Sequence, residues 1–398
     1  MKITDHSDYT NMQEFTRKIA GRSLTFCTKF GLPEWNQITP SACLLAEAIH
    51  LKSSDRVLNI GCHHGALSVI LGCQTSKDNL FIVDIDQVAI NCTERTLQVN
   101  GIHNYRISTD ISLLPQAAST FSVIALDIPK GRKLARHWLV ESYFLLETDG
   151  ELFIAGANAQ GIQSIIKDAQ ELFGNAVIVG YKKGNRCALV RKEGNRDNLP
   201  EWSLEPGIAP GTWIQINITI KGKKLTFFSL PGIFSHDRLD EGTGLLLETI
   251  DFPSSSRILD VGCGYGIIGL NAAAQEPSSE IDLVDSNRLA IAASQKNRSV
   301  NKLENVKIIS SDLLDRISEN HYHLIVSNPP FHAGKEINYS ISVALLHQAF
   351  RALEPGGKLM VVANQFIRYD NLMKEVFGNS QKLAQTNRFH ILTATKHG

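Results

Sequence analysis

The sequence predicts an α/β protein built from two tandem copies of one doubly wound, mostly parallel sheet, the first copy degenerate. Three observations carry this expectation. Residues 56–72, RVLNIGCHHGALSVILG, and 257–273, RILDVGCGYGIIGLNAA, repeat one pattern, with Gly61 and Gly262 lying 201 positions apart. The register then holds without a slip: Asp84 falls over Asp285, Asn100 over Asn301, and FSVIALDIPK (121–130) over YHLIVSNPPF (322–331). Two long segments that match without gaps imply two copies of one domain. Finally, each copy alternates short Val/Ile/Leu-rich runs with longer amphipathic stretches, the βαβα pattern of an open sheet with helices on both faces.

Taken in order, residues 1–192 form the degenerate copy, for which a structural or RNA-docking role is expected. The segment 193–212, GNRDNLPEWSLEPGIAPGTW, is rich in Gly, Pro and Asn and reads as a linker. Residues 213–398 form the intact copy. It opens on WIQINITIKGKKLTFFSLPG, two alternating strands around Lys221-Gly222, the pattern of a hairpin. Strands are expected near 257–261, 281–285, 306–309, 323–327, 358–363 and 389–395, with helices in most of the gaps.

Composition narrows the class. The 398 residues leave room for two or three domains. Lys+Arg 40 against Asp+Glu 40 gives no net charge, so charge alone argues for no polyanionic partner. The start, MKITDHSDYT, lacks a signal-peptide pattern, and no apolar run approaches the roughly 18 residues needed to span a membrane. A soluble, cytoplasmic protein is expected. The seven cysteines are odd in number and contain no C-x-x-C pair, so reduced thiols are expected. No metal site is expected either, because His63-His64 has no second cluster at ligand spacing.

Chemistry concentrates in the second copy. Asp260-Val261-Gly262-Cys263-Gly264-Tyr265-Gly266 follows a strand and opens a helix, and its glycines let the backbone turn sharply and approach a ligand. A plain βα turn would read the same way. The Asp ahead of the loop adds a group able to anchor a cationic amine, where dinucleotide binders usually carry an apolar residue. Asp285 ends the second strand, 19 residues beyond Gly266, where a carboxylate can accept from two ribose hydroxyls. Asp312, in SSDLL, ends the third and could take the amino group of an adenine. Each acid alone could be a helix N-cap. In series they mark the C-terminal edge of the sheet, where such folds bind ligands.

The fourth strand ends in Ser327-Asn328-Pro329-Pro330-Phe331-His332. Two prolines fix φ and remove two backbone donors, so the strand stops there. Asn328 offers a carboxamide that both donates and accepts, and Phe331 a flat apolar face. Together they could hold a planar group carrying an NH2, although Asn-Pro is also a common turn dipeptide.

These residues resemble the class I S-adenosylmethionine-dependent methyltransferases, strongly over 230–398 and in weakened form over 50–192, which implies two tandem Rossmann-like domains. Asp260, Gly262, Gly264 and Gly266 match the family's first motif, Asp285 its ribose-binding acid and Asp312 its adenine-binding acid. The resemblance also implies Cys263, Ser286, Leu313, Gly242 and Thr243 as cofactor-binding residues. Asn328-Pro329-Pro330-Phe331 matches the catalytic motif of members that methylate an amino nitrogen of a planar group. The stretches Leu230-Pro231-Gly232-Ile233-Phe234-Ser235 and Leu239-Asp240-Glu241-Gly242-Thr243 are similar to the ribosomal RNA guanine-N2 methyltransferases of the RsmC and RlmG type, as are His332 and the tail 384–389. The resemblance therefore implies S-adenosylmethionine as cofactor, a guanine 2-amino group as target, and ribosomal RNA or a ribosomal subunit as partner. Methylation of a protein glutamine, where the motif usually ends in Tyr, and a non-catalytic RNA-binding or assembly factor remain open. A monomer is expected, since a pseudo-dimer within one chain reduces the need for a second subunit.

In the first copy Asn59 replaces the motif Asp, His63 the middle Gly, and Asp127-Ile128-Pro129-Lys130 the Asn-Pro-Pro-Phe. The Cβ of His63 is expected to crowd the backbone approach, leaving no working cofactor site. Two basic clusters, Lys130/Arg132/Lys133/Arg136/His137 and Lys182/Lys183/Arg186/Arg191/Lys192, read as solvated faces or as phosphate contacts.

Overall fold

A computed structural model describes residues 7–19, 21–76, 78–108, 110, 112, 114–329, 339–365 and 368–398. They divide into two compact units, Met12–Trp213 and Ile214–Gly398, the second joined by the residues up to Asn11. In chain order the elements begin with α1 (Ser7–Thr10), β1 (Gln13–Ile19), β2 (Arg22–Thr28), α2 (Pro40–Ala48), β3 (Val57–Ile60), α3 (Ala66–Gly72), β4 (Leu80–Val83) and α4 (Gln87–Val99). There follow β5 (Tyr105–Ile107), α5 (Leu114–Ala117), β6 (Phe121–Asp127), α6 (Arg132–Leu145), β7 (Leu146–Ala157), α7 (Ile162–Phe173), β8 (Val177–Lys182) and β9 (Asn185–Arg191). The other unit has β10 (Ile214–Ile220), β11 (Lys223–Ser229), α8 (Glu241–Thr249), β12 (Arg257–Val261), α9 (Ile267–Gln275), β13 (Glu280–Asp285), α10 (Arg288–Val300) and β14 (Val306–Ser310). It ends with β15 (Tyr322–Ser327), α11 (Tyr339–Ala352), β16 (Leu353–Asn364), α12 (Tyr369–Phe377), β17 (Gln381–Gln385) and β18 (Phe389–Thr395).

The sheets repeat one topology, β5-β4-β3-β6-β7-β9-β8 and β14-β13-β12-β15-β16-β18-β17. Strands pair in parallel except around β9 and β18, which run antiparallel to both neighbours. Strand order reverses between β12 and β15, which pair in register with Val261 opposite Ser327. The Gly loop after Val261 and the Asn-Pro turn after Ser327 therefore leave the sheet side by side, at the switch point where open α/β sheets bind ligands. Leu259, Ile325 and Val361 are wholly buried in the core behind that edge, each worth about 2 kcal/mol of apolar burial.

Each sheet is preceded by a hairpin, and β10–β11 turns through Lys221 and Gly222 at φ 46 and 77, both positive as a two-residue hairpin turn prefers. The repeated asparagines hold the hairpins down. Asn301 accepts from the Thr226 N–H at 3.1 Å and donates to its carbonyl at 2.8 Å, and Asn100 does the same to Thr25 at 3.1 and 2.6 Å.

Three expectations change. The segment 193–212 is not a bare linker: Trp202 and Ile208 are buried, Trp202 lies under the Arg136 guanidinium at 4.5 Å, and its indole N–H reaches Glu171 at 3.0 Å. Large apolar side chains outweigh the turn-rich composition. Residues up to Asn11 pack with the second copy rather than the first. The edge strand β17, QKLAQ, was not foreseen because it is polar and exposed except at Ala384. No helix among the described residues is long and apolar enough to cross a membrane.

Candidate functional site

Gly262, Gly264 and Gly266 all sit at positive φ (71, 57 and 87), so the loop between β12 and α9 takes a path that L side chains resist. A Cβ on Gly262 would meet nothing within 4 Å, while one on Gly266 would press Ser294, Leu270 and Leu283 at 2.9–3.1 Å. The first position needs glycine for its φ, the last for helix–sheet packing as well.

Asp260 is completely buried beneath the loop. Its Oδ2 accepts from the Gly269 N–H in α9 at 2.9 Å, and its Oδ1 has no partner among the described residues. Burial pushes the carboxyl up to about 7, against the Gly269 hydrogen bond and aided by the charge of Asp285. An orphaned carboxylate oxygen is costly unless something donates to it. Half-buried Asp285 holds the loop from the next strand, accepting from the Gly264 N–H at 2.9 Å and the Asn287 N–H at 2.8 Å. Burial pushes it up to about 6 against the backbone donors of Asn287, Gly264 and Ser286. Both acids keep unused lone pairs. A ligand bringing an ammonium and hydroxyls fits this donor-poor, acid-rich edge.

Asp312 follows β14, and Leu313 beside it takes φ +47. The side chain of Gln348 on α11 pins the next turn through Leu314 N–H and Asp315. The buried Tyr9 of α1 donates to Asp312 Oδ1 at 2.5 Å, across 303 residues of sequence. Nothing in the sequence pattern signals this contact.

Asn328 leaves β15 with its Nδ2 2.8 Å from Thr243 Oγ1 and 3.1 Å from Asp240 Oδ2. Asp240 is the N-cap of α8, and the same Oδ2 takes the Thr243 N–H at 3.0 Å. Because a carboxylate only accepts, the amide NH2 must face Asp240, and Oδ1 is the atom left to meet a donor. Of the two residues that the resemblance marks on α8, a Cβ on Gly242 would meet Val362 at 2.7 Å, and Thr243 is buried with its hydroxyl toward Asn328. Pro329 is buried; Pro330, Phe331 and His332 lie outside the described residues.

The first copy keeps the frame with other residues at the corresponding places. Asn59 takes the Ser68 hydroxyl at 2.7 Å where Asp260 takes a backbone N–H. His63 occupies the middle-glycine position at φ +52, with Nε2 3.4 Å from Asp127 Oδ2. Ser41 donates to that same oxygen at 2.7 Å. Burial pulls the His63 imidazole down, but the hydrogen bond and charge of Asp127, with Asp84 and Glu34, outweigh it and push it up to about 9. The recess left here is lined by Thr39, Gly61, His63, His64, Leu67 and Asp127, two of which pair with each other. The basic clusters are mostly exposed, with several members paired to acids. Arg132 and Arg136 both clasp buried Asp168, His137 and Lys192 are buried, and Lys182 and Arg191 pair with Glu47 and Glu151.

Residues 23–186 and 224–393 each match the Methyltransferase small domain family. The chain is 33% identical over 286 residues to the "Ribosomal RNA small subunit methyltransferase C" of Vibrio vulnificus (strain CMCP6), spanning 71% of this chain and 79% of that one. It is 34% identical over 276 residues to the protein of the same name from Pseudomonas putida (strain W619), 69% and 80%. Among solved structures, the T. thermophilus 16S rRNA N2 G1207 methyltransferase (RsmC), in complex with AdoMet and guanosine, superposes with TM-score 0.82 at 25% identity, over 99% of this chain and 100% of that one.

Proposed function

The chain belongs to the Methyltransferase small domain family, and on that premise we infer that it transfers a methyl group from S-adenosylmethionine to the exocyclic 2-amino group of a guanine in ribosomal RNA. The observation that carries this reading is the match, over nearly the whole chain, to an enzyme solved with that cofactor and with guanosine. The names of the relatives favour small-subunit RNA as the substrate. We take the enzyme to act as a cytoplasmic monomer, its second copy catalytic and its first a scaffold.

S-adenosylmethionine, when bound, supplies a methyl group made electrophilic by a sulfonium. On the protein side, Asp260 Oδ1 would take the cofactor's amino group, Asp285 the ribose hydroxyls and Asp312 the adenine amine. Gly262, Cys263, Gly264, Gly266, Ser286 and Leu313 would line the path between them. An aryl amine is a poor nucleophile because its lone pair is delocalised into the ring. Asn328 Oδ1 and the Pro329 carbonyl would accept its two N–H groups, favour a localised lone pair and aim it. Phe331 would stack on the base. No strong base is needed, since the nitrogen turns acidic only as the methyl transfers.

The test is incubation with methyl-labelled cofactor and, separately, small ribosomal subunits lacking the modification and a peptide-release factor. Label in N2-methylguanine of the RNA is the expected result. Label only in the protein would identify a glutamine methyltransferase, and RNA binding without label an assembly factor.

A further inference from the structure

Phe234 is 68% exposed, yet the loop that carries it is firmly held. Asn287, two residues past Asp285, donates to the Gly232 carbonyl at 2.8 Å. Tyr265, inside the Gly loop, donates to the Arg238 carbonyl at 3.2 Å, and Ser235 donates to the same carbonyl at 2.9 Å. Between these anchors Ile233 is buried, 3.7 Å from where a Cβ of Gly264 would lie. The backbone that bears Phe234 is thus held beside the Gly loop, with the ring itself left in solvent.

The other copy shows that the loop does not need this ring. Residues 29–38, KFGLPEWNQI, lie over 230–239, LPGIFSHDRL, at the same 201 offset. Gly31 and Gly232 take φ 104 and 100, and Glu34 and Ser235 both take 49. At the place of Phe234 the first copy has Pro33. The same backbone therefore forms without an aromatic at this position where Asn59 and His63 have replaced the cofactor motif, although Trp35 follows two residues later. An apolar ring held in solvent beside a methyl-transfer site, and absent from the copy without one, has a ligand rather than the fold as its reason.

We propose that Phe234 is a stacking platform for the RNA base next to the target guanine. This rests on the RNA methyltransferase reading above. Every base has a π-face, and protein aromatics that grip unpaired strands do so by stacking. The guanidinium of Arg238, four residues on, is exposed, 3.5 Å from the Asp237 carboxylate, and would exchange that surface partner for the strand's phosphates.

Phe234→Ala and Phe234→Tyr should be compared with the unaltered protein on small ribosomal subunits lacking the methyl group. Phe234→Ala should raise KM roughly 5- to 100-fold, the scale of one lost base–aromatic stack, with melting temperature and S-adenosylmethionine affinity unchanged; Phe234→Tyr should restore KM. An unchanged KM, or a loss of cofactor affinity measured without RNA, overturns the proposal, the second outcome making Phe234 a cofactor lid. A direct readout keeps it separate from the methylation reading: an oligoribonucleotide carrying 2-aminopurine beside the guanine should be quenched by the unaltered protein and not by Phe234→Ala. Quenching without methyl transfer would sink the activity and leave the platform, whereas transfer with equal quenching by both proteins would do the reverse.

Discussion

The amide nitrogen of Asn328 lies 3.1 Å from the carboxylate of Asp240, so the cap of one helix decides which face of the amide is presented at the sheet edge. Asn328→Ala should lower turnover ~10²-fold or more, on the scale of removing one preorganised polar contact, with melting temperature and cofactor affinity nearly unchanged. Thr243 separates aim from presence. Thr243→Ser keeps an acceptor for Nδ2 and should keep kcat, while Thr243→Val removes it and should lower kcat more than KM in steady-state methylation.

Asp260→Asn makes in the second copy the change already present at Asn59. An acid whose folded pKa is raised from 3.8 to about 7 loses its stabilising contribution as pH rises through that window. The variant should therefore melt higher than the unaltered protein at pH 8, by on the order of 2 kcal/mol, with the gap closing toward pH 5. Cofactor affinity should fall at least tenfold in calorimetry. A variant that binds normally would remove Asp260 from the site.

Cofactor binding should take up the same proton equilibrium in reverse. Without ligand, Asp260 and Asp285 titrate near 7 and 6, and a cationic partner favours their ionised forms. Affinity should rise as pH climbs from about 5 to about 7 and then level, with proton release at pH 6 visible as a binding enthalpy that changes with the buffer's own ionisation heat.

The first copy should bind no cofactor, giving one site per chain by calorimetric titration. Its His63–Asp127 pair should instead show in stability. The imidazole is raised from 6.5 to about 9, so its contribution is complete below pH 6.5 and disappears as pH rises through 9. Thermal melts should fall more steeply between pH 6.5 and 9 for the unaltered chain than for His63→Asn.

The repeat, the sheet and the Gly loop were legible because they rest on local periodicity and on glycines whose φ values the backbone demands. Asp260, Asp285 and Asn328 were legible for a related reason: each ends a strand, and strand ends share one edge. The role of Asp240 was not, because its partner is 88 residues away and no pattern in either segment encodes the pairing. The pairing of Arg132 and Arg136 with Asp168 was hidden for the same reason, since that acid lies on another helix. The packing of 193–212 did leave a signal in Trp202 and Ile208, two large apolar residues that a solvated linker would not carry.

The bond from Tyr9 to Asp312 lies within a unit that is discontinuous along the chain. During synthesis the helix Ser7–Thr10 precedes its acceptor, which follows 303 residues after Tyr9. The intervening unit can fold meanwhile, so the sheet edge at Asp312 gains its Tyr9 contact only after a whole folded unit has been inserted between the two.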